Sequence, residues 1–329
     1  MKLSELIKNT GIVSVAGSTD IDITFATNDS RKVVPGTVFV AVNGCGNDGR
    51  GFIPSAIAAG AAAVVHEGEP SCSGEATEVI VENSRYAAAI IADAFYGHPS
   101  RDLKLVGITG TNGKTTTVTL LHHLFTAMGN KCGLLSTIAN YVGDREYEAV
   151  NTTSDPLTIN SLMREMVDEG CRYCFMEVSS IGMEQDRVEG LEFKVGIFSN
   201  LTHDHLDYHK TFDEYLRCKK LFFDSLGRNA IAITNIDDKN GMVMMQNTKA
   251  KVVSYSLGKA STHRGKILEQ SFEGMLLNID GTECWCRLIG KHNAYNIMAI
   301  YCAATALGAD KFEVLTALSN LESAKGRLE

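Results

Sequence analysis

The stretch Leu105-Val-Gly-Ile-Thr-Gly-Thr-Asn-Gly-Lys-Thr-Thr116 decides how the rest of the chain is read. It joins a short apolar run to a segment that carries Leu120, Leu121, Leu124, Phe125 and Met128 on one helical stripe and stops at Gly129. Strand, glycine-rich turn and helix in that order make a phosphate loop. Gly110 and Gly113 let the backbone turn so that successive N–H groups converge on phosphate oxygens, and the new helix adds the positive end of its dipole. Lys114 would reach the β- and γ-phosphates, and the Thr115 hydroxyl would ligate Mg²⁺. The strict pattern G-x-x-x-x-G-K-[ST] is not met, because Ile108 stands five positions before Gly113 and the upstream glycine is Gly110. The loop is a shortened variant, and its rival is a tight strand-to-helix turn with a chance lysine.

Outward from the loop, apolar runs at 105 (LVGIT), 173 (YCFMEV), 195 (VGIF) and 230 (AIAIT) alternate with helical stretches. That rhythm predicts an α/β fold with a mostly parallel sheet flanked by crossover helices. One helix starts at Ser154 or Asp155 with Pro156 in its first turn, and another opens with the capping box Thr211-x-x-Glu214. After Lys251 come short alternating strands (VVSYS, GKILEQ, MLLNI, CWCRLI), a small added β-ribbon, and helices near 293–307 and 310–321. The first hundred residues read separately: VFVAV follows a Pro35-Gly36 turn, then an Ala-rich helix and the strand AAAVV. The polar segment 97–102, GHPSRD, marks the boundary, giving domains 1–98 and 99–329.

Composition bounds the function. The 329 residues are 44% hydrophobic and 21% charged, with 30 Gly and 5 Pro, as in ordinary globular chains. The net charge is −8 and no more than two basic residues adjoin, which argues against a nucleic-acid partner. The longest small-apolar run, Ala56 to Val65, is too short for a membrane helix, so no membrane partner is expected. Nine scattered cysteines, with no apolar leader, fit reduced thiols in a cytoplasm. Cys171-x-x-Cys174 and Cys284-x-Cys286 read as buried, inert thiols, since a zinc site needs a second matching pair.

Two further features carry chemistry. Glu177 stands near the end of YCFMEV, at the C-terminal edge of a strand, where open α/β sheets place ligands and where a buried carboxylate is costly unless it meets a cation. A capping or paired glutamate is the alternative. The run His203-Asp-His-Leu-Asp-Tyr-His209 invites a metal site. A binuclear hydrolase would want histidine directly after the second aspartate, and Tyr208 stands there.

These residues carry a resemblance. TGTNGKTTT, the stretch 29–65, NTTSDPL, MEVSS, NLTHDHLDYH, the first lysine of YLRCKK, NIDD, GKHNAYN and GRLE occur in the order found in the Mur ligase family. Within that family the chain resembles the MurE-type branch, which adds the third residue to a UDP-MurNAc peptide. The resemblance implies a UDP-binding first domain and an ATP-binding central domain. It implies that Thr115, Glu177, His205 and Lys219 hold Mg²⁺, Lys219 being the counterpart of a lysine carbamylated by CO₂. A solvated helix lysine is the alternative for Lys219, and it is the reading for neighbouring Lys220. ATP would be bound by Gly110, Thr111, Asn112, Gly113, Lys114, Thr115, Thr116, Asn293 and Arg327, with His292, Asn235, Asp237 and Asp238 close by. The UDP-muramyl peptide would meet Asn28, Ser30, Cys45, Gly46, Asn47, Asn151, Thr152, Thr153, Ser179, Gln185 and Arg187.

The implied reaction is ATP-dependent amide formation on UDP-MurNAc-L-Ala-D-Glu through an acyl phosphate, with Lys114, Glu177, His205 and Lys219 catalytic and a monomer as the working form. The amino acid added, meso-diaminopimelate or L-lysine, is not legible. GRLE ends the ATPase domain in the family and precedes a Rossmann-like amino-acid-binding domain, so this chain alone is expected to bind and not to turn over. Alternatives are a MurF-like ligase and a non-catalytic nucleotide- or UDP-sugar-binding chain. The family's EVSSH is departed from at Ile181, where altered packing is expected.

Overall fold

A computed structural model describes residues 1–44, 48–71, 74–202 and 211–321. The chain divides into two compact units, and the divisions are not contiguous in sequence. Unit 1 takes in 1–99, 154–164 and 185–191; unit 2 takes in 100–153, 165–184 and 192–329.

Unit 1 holds strands β1 (Ile12–Ala16), β2 (Phe25–Thr27), β3 (Thr37–Val40), β4 (Ala61–His66) and β5 (Thr77–Val81), with helices α1 (Leu3–Leu6), α2 (Ile53–Ala58) and α3 (Ser84–Phe95). The described strands lie in the order β1-β5-β4-β3-β2, parallel except for β1. The strand residues alternate between two covered faces. Val38, Val40, Ala63, Val65, Val79 and Val81 pack with Ala87, Ala88, Ile91 and Ala92 of α3, whereas Phe39, Ala41 and Val64 pack with Ile53 and Ala56 of α2. Burial on both faces is why these strands read as nearly continuous apolar runs. The amides of Arg85 and Tyr86 donate to the Asn83 side chain, which fixes the start of α3.

Unit 2 is built on strands β6 (Lys104–Thr109), β7 (Cys132–Leu135), β8 (Asn140–Val142), β9 (Arg145–Tyr147), β10 (Tyr173–Glu177), β11 (Val195–Phe198), β12 (Ile231–Asn235), β13 (Lys251–Ser256), β14 (His263–Gln270), β15 (Met275–Ile279) and β16 (Thr282–Cys286). Its helices are α4 (Lys114–Ala127), α5 (Pro156–Asp168, whose first turns fall in unit 1), α6 (Ser180–Glu184), α7 (Phe212–Ser225), α8 (Gly241–Met244), α9 (Lys291–Ala306) and α10 (Lys311–Asn320). Among the described residues the strand order is β16-β15-β14-β13-β12-β11-β6-β10-β7-β8-β9.

From β13 through β7 the pairing is parallel, and β7-β8-β9 and β14-β15-β16 are antiparallel. The appended ribbon joins the main sheet through a short parallel pairing, Tyr255 with His263 and Ser256 with Arg264. The chain lays β7 and β10 on one side of β6 and β11 to β13 on the other. This makes β6 the point where strand order reverses, and crevices at such points take ligands in open α/β sheets.

Helix starts follow local chemistry. The Leu157 and Thr158 amides donate to Asp155 at the head of α5, and the Glu214 amide donates to Thr211 Oγ1 at the head of α7. One core is shared by α4, α9, α10 and the sheet, including Leu120, Leu121, Leu124, Phe125, Ile297, Ile300 and Leu315. No described helix is long and apolar enough to cross a membrane.

Candidate nucleotide and metal site

The loop 110–113 leaves the end of β6, and the segment after β11 clamps it. The Thr111 amide donates to the Asn200 carbonyl at 2.9 Å and the Asn112 amide to Asn200 Oδ1 at 2.9 Å. Ser199 Oγ and Asn200 Nδ2 both donate to the Asn112 carbonyl, at 2.8 and 3.0 Å. Such close approach explains the glycines. A Cβ on Gly110 would lie 2.0 Å from Ser199 Oγ, and one on Gly113, at φ +87°, 2.5 Å from Asn296 Oδ1 of α9.

Lys114 opens α4 and folds back over the loop, its ammonium donating to the Gly110 and Thr111 carbonyls at 2.9 and 3.0 Å. Thr115 is buried in the first turn of α4 and Thr116 follows it. Lys219, on α7, is buried and also donates to the Gly110 carbonyl at 2.9 Å, with its ammonium 4.6 Å from the Tyr215 ring centre. The Tyr215 hydroxyl is 3.1 Å from Thr111 Oγ1. Lys220, expected to be solvated, is instead paired with Asp224 one turn on, at 2.6 Å, and its side chain is only 13% exposed. An opposite charge four residues away on the same helix face holds it there.

Glu177 closes β10, in register with Ile108 of β6, and is fully buried. Its Oε1 accepts from the Thr137 amide at 2.9 Å and the Thr137 hydroxyl at 3.1 Å, while Oε2 is buried with no partner among the described residues. A half-satisfied buried carboxylate at a ligand-collecting edge is costly unless a cation meets it. With Thr115 it offers hard oxygen donors, the kind Mg²⁺ accepts alongside phosphate oxygens and water. Among the described residues no three His, Cys, Asp or Glu side chains stand close enough together to hold a metal.

Around the other expected nucleotide contacts, Asn293 is buried, donating through Nδ2 to the Ile289 carbonyl and accepting from Asn296. His292 is exposed. Asn235 Nδ2 donates to the Ser199 carbonyl, and Asp238 Oδ2 accepts from the Leu201 amide. Burial opposes the charge on Asp237, but donation from Ser256, the Leu257 amide and Tyr295 outweighs it and holds the carboxyl below its usual range. Burial and that same bond push the Tyr295 hydroxyl up to about 12.

On the substrate side, Thr153 Oγ1 donates to the Glu177 carbonyl at 3.0 Å and accepts from the Ser179 amide at 3.0 Å. Ser179 Oγ accepts from the Gly182 amide, and Thr152 Oγ1 lies 3.2 Å from Thr137 Oγ1. Asn151 is exposed. In unit 1, both arms of the Arg187 fork donate to Gln185 Oε1, at 3.1 and 2.7 Å, and Asn28 and Ser30 are half-buried, Ser30 opening a short 3₁₀ turn. Ile181 is half-buried in α6. Cys45, Gly46, Asn47, the histidines 203, 205 and 209, and Arg327 lie outside the described residues.

All four cysteines of the two close pairs are free and buried. Complete burial pushes Cys174 far up and partial burial raises Cys171. Cys284 and Cys286 sit with sulfurs 3.7 Å apart, and the bond between them together with burial drives Cys286 up. Ser199, Asn200, Thr202, Tyr215, Thr137 and Asn296 touch the phosphate loop or Glu177 at the candidate site, and sequence reasoning passes over them. The one signal for the first three is their place just past an apolar run at a strand's C-terminal end.

Residues 108–304 match the Mur ligase middle domain and residues 22–96 the Mur ligase family, catalytic domain. A UDP-N-acetylmuramoyl-L-alanyl-D-glutamate–2,6-diaminopimelate ligase of Cytophaga hutchinsonii is 50% identical over the whole chain, which covers 68% of that relative. A ligase of the same name from Geobacillus thermodenitrificans is 38% identical, again over the whole chain and 69% of the relative. A solved structure of a UDP-N-acetylmuramoyl-L-alanyl-D-glutamate–2,6-diaminopimelate ligase superposes with a TM-score of 0.87 at 25% identity, covering 99% of this chain and 68% of its own.

Proposed function

Since the chain belongs to the Mur ligase family, we infer that its phosphate loop serves amide formation on UDP-MurNAc-L-Ala-D-Glu, in the synthesis of peptidoglycan. It is a ligase of carbon–nitrogen bonds that uses ATP. Diaminopimelate is the acceptor that the names of its relatives support. The identity to ligases of that name across the whole chain favours this reading over a MurF-like one.

The substrate carboxylate attacks the γ-phosphate of ATP, ADP leaves, and the acceptor amine displaces phosphate from the acyl phosphate. Little covalent work falls to the protein; it has to place two anions together and offset their repulsion. Lys114, resting on its own loop carbonyls, presents an ammonium where the β- and γ-phosphates are cradled. Loop amides, glycine turns and the start of α4 orient the phosphate chain. Thr115, Glu177, His205 and a carbamylated Lys219 would hold Mg²⁺, which when bound neutralises phosphate charge. Asn293, Arg327 and the 235–238 segment serve the adenosine end. Asn28, Ser30, residues 45–47, Asn151, Thr152, Thr153, Ser179, Gln185 and Arg187 serve the UDP-muramyl peptide, Arg187 through a planar fork suited to phosphate or carboxylate.

The observation that carries this reading is Glu177, a fully buried carboxylate with one oxygen unpartnered among the described residues, at the strand beside the phosphate loop. The test is ADP release and product mass with ATP, Mg²⁺, UDP-MurNAc-L-Ala-D-Glu and diaminopimelate. With the family's amino-acid-binding domain joined to this chain, diaminopimelate-dependent ADP and a tripeptide product are expected, and K114A there is expected to lose at least about 100-fold in rate, the scale for one transition-state charge contact; residues 1–329 alone are expected to bind and not to turn over. Tight calorimetric binding of both substrates by the joined protein, with no ADP on any muramyl acceptor, would instead identify a binding protein.

A further inference from the structure

Glu177 is held in an unusual way for a buried acid. Among the described residues, both bonds to its side chain fall on one oxygen and come from one residue, Thr137, through its amide at 2.9 Å and its hydroxyl at 3.1 Å. Thr137 is itself exposed, in the turn after β7. A carboxylate can only accept, so the single Thr137 hydroxyl proton is spent on Glu177. The Thr152 hydroxyl, 3.2 Å away, then supplies the proton of the next contact, giving the chain Thr152 to Thr137 to Glu177. A second thread runs from the same loop to the same residue: Thr153 Oγ1 donates to the Glu177 main-chain carbonyl at 3.0 Å.

We propose that Thr137 is a positioning residue: it occupies Oε1 of Glu177 so that Oε2 is presented to a divalent cation, and it ties that carboxylate to the 151–153 loop. The proposal rests on the reading of Glu177 as a cation ligand. Two donors on Oε1 fix the carboxyl plane and draw charge toward one side, and hydrogen bonds in series strengthen one another. Partners of this kind orient metal-binding carboxylates elsewhere, and their removal costs roughly 10- to 100-fold in metal affinity.

The experiment titrates Mn²⁺ into the ATP-loaded chain by electron paramagnetic resonance for wild type, T137S, T137A and T137V, with thermal midpoints as control. Because the residue is exposed and its amide is untouched by substitution, all four should melt within a few degrees of one another. Loss of the hydroxyl in T137A and T137V should weaken Mn²⁺ by about 10-fold, at the lower end of that range because the amide bond remains, and T137S should restore it. ATP affinity measured without divalent ion should stay unchanged. Wild-type Mn²⁺ affinity in T137V overturns the positioning role alone. A wild-type chain that takes up no Mn²⁺ with ATP overturns the ligase reading along with it.

Discussion

Gly113 is where loop geometry is least forgiving. Its φ of +87° lies in the left-handed region, and a methyl group there would come within 2.5 Å of Asn296 Oδ1. Two separable costs therefore attach to G113A: backbone strain, and a clash with an amide on α9 that is itself bonded to Asn293. Together they should destabilise the chain by about 1–3 kcal/mol in thermal or denaturant unfolding, and weaken ATP binding. Adding N296A removes the clash and leaves the strain, so the double variant should recover part of the loss relative to N296A alone. Full recovery would show that φ at this position costs nothing. Gly110 differs, because its obstacle is the hydroxyl of Ser199, whose bond to the Asn112 carbonyl is part of the clamp. Lys114 and Lys219 converge on a single carbonyl, that of Gly110, from two helices. One main-chain oxygen thus accepts from the lysine expected at the phosphates and from the one expected to hold Mg²⁺.

At the scale of elements, the parallel strands were the most legible part of the chain, because strands covered on both faces leave uninterrupted apolar runs. Asp155 and Thr211 announced α5 and α7 by the same chemistry that caps them. The short β8 and β9 at the far edge, and the parallel pairing that ties β13 to β14, left no such trace; two or three residues carry too little periodicity. Site residues contributed from distant elements were hidden for a related reason. Asn200 meets Asn112 because β11 lies beside β6, a consequence of strand order that no local pattern encodes. Glu177 and Lys114 were legible because each follows an apolar run.

The helix α4 carries one titration that can be read out. Burial, aided by neighbouring His123, lowers His122 from 6.5 to about 4, and its Nε2 has no partner among the described residues. The folded state resists the proton that the unfolded chain accepts, so the stability held above pH 6.5 is lost as pH falls toward 4. The slope is at most about 1.4 kcal/mol per pH unit. H122L should flatten the denaturant midpoint against pH in that window, and parallel wild-type and variant profiles would refute it.

Over the whole molecule, the two units have separate hydrophobic cores and separate sheets, and the residues expected to bind the two anionic substrates are divided unequally between them. Every described nucleotide-side residue, from Gly110 to Thr116, Asn235 to Asp238 and Asn293, falls in unit 2. Asn28, Ser30, Gln185 and Arg187 fall in unit 1. A net charge of −8 opposes general attraction of anions, so affinity for ATP is expected to arise locally, from the loop amides, Lys114 and the proposed divalent ion. Ligand binding stabilises the structure it touches by mass action, about 2.7 kcal/mol at 100 times Kd. Hydrogen exchange should then show Mg²⁺ and ATP slowing the amides of 110–116, 199–202 and 293–296. The strands 37–40, 61–66 and 77–81 should exchange as they do without nucleotide, since their opening is governed by the core around Val38, Val65 and Val79. UDP-MurNAc-L-Ala-D-Glu should add protection at 28–32 and 185–187. Nucleotide protection that appears equally in the unit 1 strands, or is missing from 199–202, would mean that the clamp on the phosphate loop is not where ATP acts.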